Sequence, residues 1–421
     1  MNPSRRVIAV VCLALLPVVC AAPLRADATA GARHKSGESL ATSIVIDWQL
    51  ISLRTVYAEP VPPTPIPIGT LYLGFTSLAI HDAVQKAKHR HASVGAAAAQ
   101  AAHDVLLEYF SGSAANLAAD LAESLSAIPD SSREAKGVAI GHRVAARLIE
   151  NREDDGRNDT SIVYSRPEAP GVWQPPATGM VGAWLGFTDP LVLRHPVKVN
   201  GPDRLKSRAY ARDFKEVKRD GSSTQTNQHK IKVATFFWFN SVIAYENALA
   251  VYLHDHPMSA RRTARLFAVI NASMADAIRN VWRLKFDIGY WRPFQAIPGA
   301  DTDGNKRTKA DPTWTPLLAR PLLAPPTPLA TPAYPDYPSG HAAVTGTFAE
   351  SVRLFLGDDV PLLLESTSPL YDVDRSYKDL SDIEFDAFHA RIWSGIHFRD
   401  AMEDGYAIAH KTVRRVAHKL D

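Results

Sequence analysis

The chain has 421 residues, of which 46% are hydrophobic and 22% charged, a balance that suits a globular protein with a large core, built as one big domain or two. Its 47 basic and 44 acidic residues leave a formal charge of +3 with no long block of one sign, which argues against nucleic acid or an anionic membrane surface as a partner. A locally positive pocket remains compatible with that balance.

The N-terminus reads as a processing signal. Arg5 and Arg6 precede the apolar run Val7 to Val19, and Ala26 and Ala28 flank Asp27 as a cleavage pattern. Residues 1–28 are therefore expected to be removed during export, to the periplasm or beyond, with the mature chain starting near Thr29. Cys12 and Cys20 both fall inside this segment, so no thiol, disulfide or cysteine metal ligand is expected in the mature protein. Val18 and Val19 stand where a lipoprotein signal would place small residues. No later segment reaches about 18 uninterrupted apolar residues, so no membrane span is expected once the signal is gone.

Residues 29–43 are small, polar and unpatterned, and read as a disordered leader. Apolar positions at three and four spacing then predict helices over 44–57, 71–84, 96–110, 114–128 and 134–151, with the proline-rich stretch 60–67 as a break. Residues 155–208, rich in Pro, Gly and Trp, read as a long ordered loop in which Trp173 and Trp184 pack. Helical patterning resumes over 208–219, 230–255 and 260–285. A second proline-rich connection, 312–338, leads into a helix over 341–356 that Gly357 caps. Ser381, Asp382, Ile383 and Glu384 form a capping-box pattern that opens the last helical region, interrupted near Gly395 and continued to Leu420. The expected fold is all-α: two packed helix bundles with long Pro-rich loops, an N-terminal half over 29–200 and a C-terminal half over 201–421 that carries the site.

The chemistry gathers in the second half. Gly289 and the Arg292-Pro293 step predict a helix end between Lys285 and Arg292, so that one cation reaches from the helix end and the other from an extended residue. Ser339-Gly340-His341 opens a helix, where a hydroxyl, unpaired amides and the positive end of the helix dipole suit an anion, and His341 is placed for acid-base work. Gly395 supplies the break that lets Arg391 and His397 turn toward each other. His81-Asp82 and the aromatic run Phe236, Phe237, Trp238 and Phe239 read as structural, and Arg261-Arg262 as a solvated helix start.

In order, Lys-x6-Arg-Pro at 285–293, Pro-Ser-Gly-His at 338–341 and Arg-x5-His at 391–397 resemble the signature of the vanadium-dependent haloperoxidases and the related type 2 phosphatidic acid phosphatases and bacterial acid phosphatases. Trp282, Tyr290-Trp291, 301–304, 311–314 and the proline-rich approach to Ser339 resemble the haloperoxidase branch; the similarity runs from about Phe236 to Leu420. The resemblance implies vanadate as cofactor, with His397 as the metal ligand and Lys285, Arg292, Ser339, Gly340 and Arg391 holding its oxygens. It implies His341 as the acid-base residue and Trp282 and Tyr334 near the halide. Hydrogen peroxide, a halide and a small organic acceptor would be the partners, and a homo-oligomer is left open. Two positions depart from the pattern: Ala390 replaces a serine, and Ala401 replaces a carboxylate four residues after the histidine, bracketed by Asp400 and Asp404. A soluble phosphatase working through a phosphohistidine, and an inactive oxyanion-binding relative, remain the alternatives.

Overall fold

The three-and-four apolar spacing becomes, in a computed structural model, thirteen α-helices and one small sheet among the described residues, which are 37–129, 131–238, 240–320, 331–367 and 373–421. The expected signal, residues 1–28, lies outside them. The helices are α1 (Gly37–Leu53), α2 (Ile66–His89), α3 (Val94–Tyr109), α4 (Ala114–Ser126), α5 (Ser132–Glu150), α6 (Arg208–Asp220), α7 (Gln228–Phe236), α8 (Ser241–Asp255), α9 (Ala260–Ile288), α10 (Pro293–Ala296), α11 (Gly340–Leu356), α12 (Leu380–Trp393) and α13 (Arg399–Lys419). Strands β1 (Leu362–Leu364) and β2 (Arg375–Tyr377) pair antiparallel, with Leu362 opposite Tyr377.

The 29-residue α9 is the axis. It is buried along most of its length, and α1, α2, α11 and α13 all pack against it, so helices from both halves of the sequence share one core. The second layer is α3, packed on α2 and α5. Gly405 on α13 lets that helix lie directly on the start of α11, because a Cβ there would meet Ser339 O at 2.7 Å and Ala342 Cβ at 2.6 Å.

Polar side chains mark where most of these helices begin. Ser93, Ser131, Ser207, Asn227, Asn240, Ser259, Ser339 and Asp379 each accept a hydrogen bond from a first-turn amide, an arrangement worth about 1 kcal/mol per helix. Asn240 explains one departure from the sequence reading: the single helix expected over 230–255 is two, α7 and α8, because this side chain caps a new helix start. The last region likewise opens on Asp379, which accepts from Asp382 N at 2.8 Å, whereas Ser381 Oγ donates to Asp358. The leader expected to be disordered to residue 43 becomes helical at Gly37, since Ala41, Ile44 and Val45 bury against the core. Pro67 sits in the first turn of α2, where a missing N–H costs nothing.

The long segment 155–207 is irregular apart from a 3-10 turn at Ala183–Phe187. Asp276 of α9 anchors it by accepting from the amides of Leu191, Val192 and Leu193 at 2.7, 3.0 and 2.8 Å. Buried Trp173 donates its amide to Gly289 O at 2.8 Å, and Trp291 donates its amide to Gly171 O at 3.0 Å. This pins the loop to the turn between α9 and α10. No helix among the described residues is long and apolar enough to cross a membrane.

Candidate active site

Three local features aim the site. Gly289 ends α9 in the left-handed region at φ 64°, and Arg292 is extended at φ −93°, ψ 161° before Pro293 opens α10. Ser339 caps α11 through a bond from Ala342 N to its Oγ, and its own amide is fixed by Ala401 O at 2.8 Å. Gly395, at φ 78°, breaks the chain between α12 and α13 and leaves His397 in the gap. Each break is where the sequence places it.

These breaks bring the cations together in the interior. Lys285 and Arg292 are fully buried, and Arg391 is 1% exposed. Lys285 Nζ donates to Pro335 O at 2.6 Å and Asp336 O at 2.8 Å. Arg292 donates to Tyr334 O at 2.7 Å, Ile396 O at 2.7 Å and Pro335 O at 3.4 Å. Both cations lie over the Tyr334 ring, at 5.1 and 5.0 Å from its centroid. Arg391 donates to Phe237 O at 3.1 Å and lies 5.3 Å from the Trp238 ring, while its Nε is buried without a partner. Trp238, read from sequence as core, thus borders the cradle, and Phe239 beside it lies outside the described residues.

One buried carboxylate faces this charge. Asp336 Oδ1 is 2.7 Å from His397 Nδ1 and 4.0 Å from Arg292. The oxygen lies off the axis of the ring N–H, so this is a close polar contact rather than an aligned hydrogen bond. Asp336 therefore occupies the carboxylate role that the sequence reading looked for near Ala401. The bracketing residues turn elsewhere: Asp400 accepts from Asp203 N at 2.8 Å and Asp404 from the Tyr337 hydroxyl. Distance along the chain hid Asp336, which lies 61 residues before His397; its sequence signal is a lone acid between prolines just ahead of the Ser339 cap.

Three cations against one carboxylate leave the pocket short of negative charge, and burial compounds the imbalance. Burial pushes Lys285 well below its ordinary pKa, with Arg292 adding to it, and pushes Arg391 down to about 9. Burial raises Asp336 to about 7 against the pull of Arg292 and Lys285. His341 and His397 are both held well below the usual imidazole value, first by burial and then by the same three cations. Lys285, Arg292 and Arg391 thus all act electrostatically on both histidines. Buried cations that lack counter-charge, an orphaned guanidinium nitrogen and the unpaired first-turn amides of α11 are what a small tetrahedral oxyanion would complete. Among the described residues no cluster of three or more His, Cys, Asp or Glu side chains is placed to hold a bare metal ion.

Beside the cradle, Trp282 and Tyr334 meet at 5.0 Å between ring centroids with their planes tilted by 50°, and Trp282 Nε1 donates to Val181 O at 3.0 Å. Trp282 packs so closely on Gly340 that a Cβ there would approach it at 3.0 Å. Both rings and His341 line a neighbouring cavity of about 210 Å³. Residues 265–421 match the family model described as the VCPO second helical-bundle domain. Over 92 residues the chain is 33% identical to vanadium chloroperoxidase of Curvularia inaequalis, an alignment that spans 22% of this chain and 14% of that protein. The second half of this chain is thus similar to the second helical-bundle domain of the vanadium haloperoxidases. The likeness in fold extends further than the family match. A bacterial vanadium-dependent iodoperoxidase superposes with a TM-score of 0.69 at 19% identity, over 91% of this chain and 97% of that one. The holo form of a bacterial vanadium-dependent chloroperoxidase gives 0.61 at 15% identity, over 91% of both chains. The haloperoxidase architecture therefore runs through the first half as well, where the sequence motifs are thin.

Proposed function

We propose that this protein is an exported vanadate-dependent haloperoxidase that oxidises a halide with hydrogen peroxide and halogenates a small organic acceptor. The observation that carries this reading is the buried cradle: three cations held by backbone carbonyls, facing the start of α11 and His397 with a single carboxylate among them. Bound there, vanadate would supply a Lewis-acidic centre that makes hydrogen peroxide electrophilic toward halide. Lys285, Arg292 and Arg391 would neutralise the anion's oxygens, and Ser339 with the Gly340 amide would donate to them. His397 would offer Nε2 as the single ligand while Asp336, 2.7 Å from Nδ1, would help hold the ring in place. His341, held neutral in the anion-free protein first by burial and then by the surrounding cations, would take and return the proton of incoming peroxide. Trp282 and Tyr334 would form the halide's apolar wall.

The test is purified mature protein loaded with vanadate and given peroxide with iodide or bromide, read as triiodide formation or phenol bromination. His397→Ala is expected to abolish vanadate retention, whereas His341→Ala keeps it and slows the peroxide reaction. Equal loss of retention in both variants would contradict these roles. The Asp336–His397 contact also favours a second reading, a phosphatase in which His397 is the nucleophile, because a carboxylate on Nδ1 raises the nucleophilicity of the opposite nitrogen. Steady phosphate release from an aryl phosphate, lost in His397→Ala and inhibited by vanadate, would favour it over the first.

A further inference from the structure

The 210 Å³ cavity beside His341 has a composition that the anion chemistry does not call for. A halide or peroxide is drawn to the cradle's cations and needs no apolar wall beyond Trp282 and Tyr334. This cavity is instead bounded by Ile66, Val242, Ile278, Val344, Trp282 and Tyr334, and no Asp, Glu, Lys or Arg contributes to its walls. Its polar groups are few: Ser241, the Tyr334 ring with its hydroxyl, and His341. The outer rim is the proline turn at Pro65 and Pro67 that opens α2, and the inner end is His341 with Gly340. Val242, Ile278 and Val344 lie on three different helices, α8, α9 and α11, and are buried at 0, 1 and 5% exposure, so the walls are set by the core rather than by a mobile loop.

We propose that this cavity is a binding site for the organic acceptor itself, and that the acceptor is an uncharged, flat, apolar ring compound held with one carbon toward His341. The proposal rests on the haloperoxidase reading and specifies its substrate class. Size excludes a peptide or protein partner. Charge selects next: a cationic molecule would lose its hydration to walls that return few hydrogen bonds, and would face three buried cations beyond them. An apolar ring loses only water-exposed surface, and the Trp282 and Tyr334 rings offer it stacking partners. The reaction balances with the reagents already named. One hydrogen peroxide, one halide ion and one proton convert a C–H of the acceptor to C–halogen and yield two waters; peroxide is reduced by two electrons drawn from the halide, the oxidised halogen takes up the C–H bonding pair, and the proton released from carbon passes through His341 into the second water. Holding the acceptor at this spot sets which carbon meets the oxidised halogen before water carries it away.

Calorimetry on the full mature chain, first without vanadate, tests the binding step with indole as the probe and tryptamine as its cationic counterpart. Indole is expected to bind and tryptamine not to. Val242→Trp, which fills the cavity from α8, should weaken indole about ten-fold or more and lower the regioselectivity of indole bromination in the loaded enzyme. It should leave triiodide formation from iodide unchanged, since that reaction needs no acceptor. Ile66→Trp at the rim provides the same readout should the buried substitution impair folding. Indole that fails to bind, binds no better than tryptamine, or is indifferent to both tryptophan variants overturns the acceptor site while triiodide formation still upholds the haloperoxidase reading. Indole binding in a protein that makes no triiodide separates the two the other way: the cavity assignment as an apolar ring site stands and the haloperoxidase reading falls.

Discussion

Replacing Arg391 with methionine separates what the cradle does for binding from what it does for folding. The side chain is buried, its charge is disfavoured enough to bring its pKa to about 9, its Nε is unpaired, and it makes one hydrogen bond, to Phe237 O. Removing it relieves a desolvation cost; exchanging buried ionic groups for apolar ones of similar volume is often neutral or stabilising by about 1–4 kcal/mol. Against this stand the Phe237 carbonyl left without a donor, about 1–3 kcal/mol, and the lost contact with Trp238, roughly 0.5–2 kcal/mol. The terms nearly cancel, so the vanadate-free variant should unfold within about 2 kcal/mol of the wild type. Binding has no such cancellation: loss of a buried charged partner costs on the order of 2–5 kcal/mol, a factor of about 30 to several thousand in affinity. Urea unfolding with and without vanadate reads both. Wild type gains about 2.7 kcal/mol at a hundred-fold excess over its Kd, and Arg391→Met should gain less than about 1 kcal/mol at that concentration. A variant that keeps the full vanadate-dependent gain, or that loses several kcal/mol without vanadate, would refute the view that this cation serves the anion rather than the fold.

Asp336→Asn removes the charge against His397 Nδ1 while keeping the side chain's size; vanadate affinity should fall about 10–100-fold with little change in unfolding midpoint, and equal affinity in calorimetry would show that the ring is oriented without it. Glu246, buried beside Asn271 in the α1, α2, α8 and α9 core, has its pKa raised from 4.5 to about 8 by burial. The folded chain therefore holds a proton that the unfolded chain releases, and stability should fall by up to ~1.4 kcal/mol per pH unit as pH climbs from about 4.5 to about 8; in Glu246→Gln that part of the slope should vanish from denaturation curves measured across the window. Gly395→Ala forces a side chain into the left-handed region, where its Cβ would strike Gly221 O and press on Pro316. A loss of roughly 2–4 kcal/mol together with loss of vanadate binding is expected, and a stable variant that binds normally would mean that the break is not needed to aim Arg391 and His397.

How much of this was legible in the sequence depends on the range of the force involved. Caps, breaks and apolar spacing act within a few residues, so Gly289, Arg292-Pro293, Ser339 and Gly395 could be read in place, and most helices came close to their observed limits, although α1 and α2 begin seven and five residues before the expected starts. Asn240 was missed as a helix break because the apolar pattern on its two sides is continuous in phase, and only the cap geometry shows that the chain turns there. The cradle's membership was readable because five of its side chains sit in ordered local motifs. Asp336 and the Phe237–Trp238 edge were not, because their partners lie 61 and 154 residues away in sequence and no local rule links them. The same holds for the cavity beside His341, whose rim comes from Pro65 and Pro67 in a half of the chain that carries no motif.

The pairing of the cations explains why this pocket can remain available to an anion. Had carboxylates held Lys285, Arg292 and Arg391, each ion pair would have been neutral and a guest would have had to break it. Here the partners are the backbone carbonyls of Phe237, Tyr334, Pro335, Asp336 and Ile396, which satisfy N–H donors and fix their direction without cancelling charge. A carbonyl is a dipole whose field falls off faster than that of a full negative charge, so the net positive potential survives at the centre. The cost appears as depressed pKa values on the cations and histidines. That cost can be carried only because the carbonyls belong to segments fixed elsewhere, by Tyr290 O accepting from Asp336 N at 2.9 Å and Ala401 O from Ser339 N. Charge left uncompensated on a rigid frame is free energy that an arriving oxyanion recovers on binding.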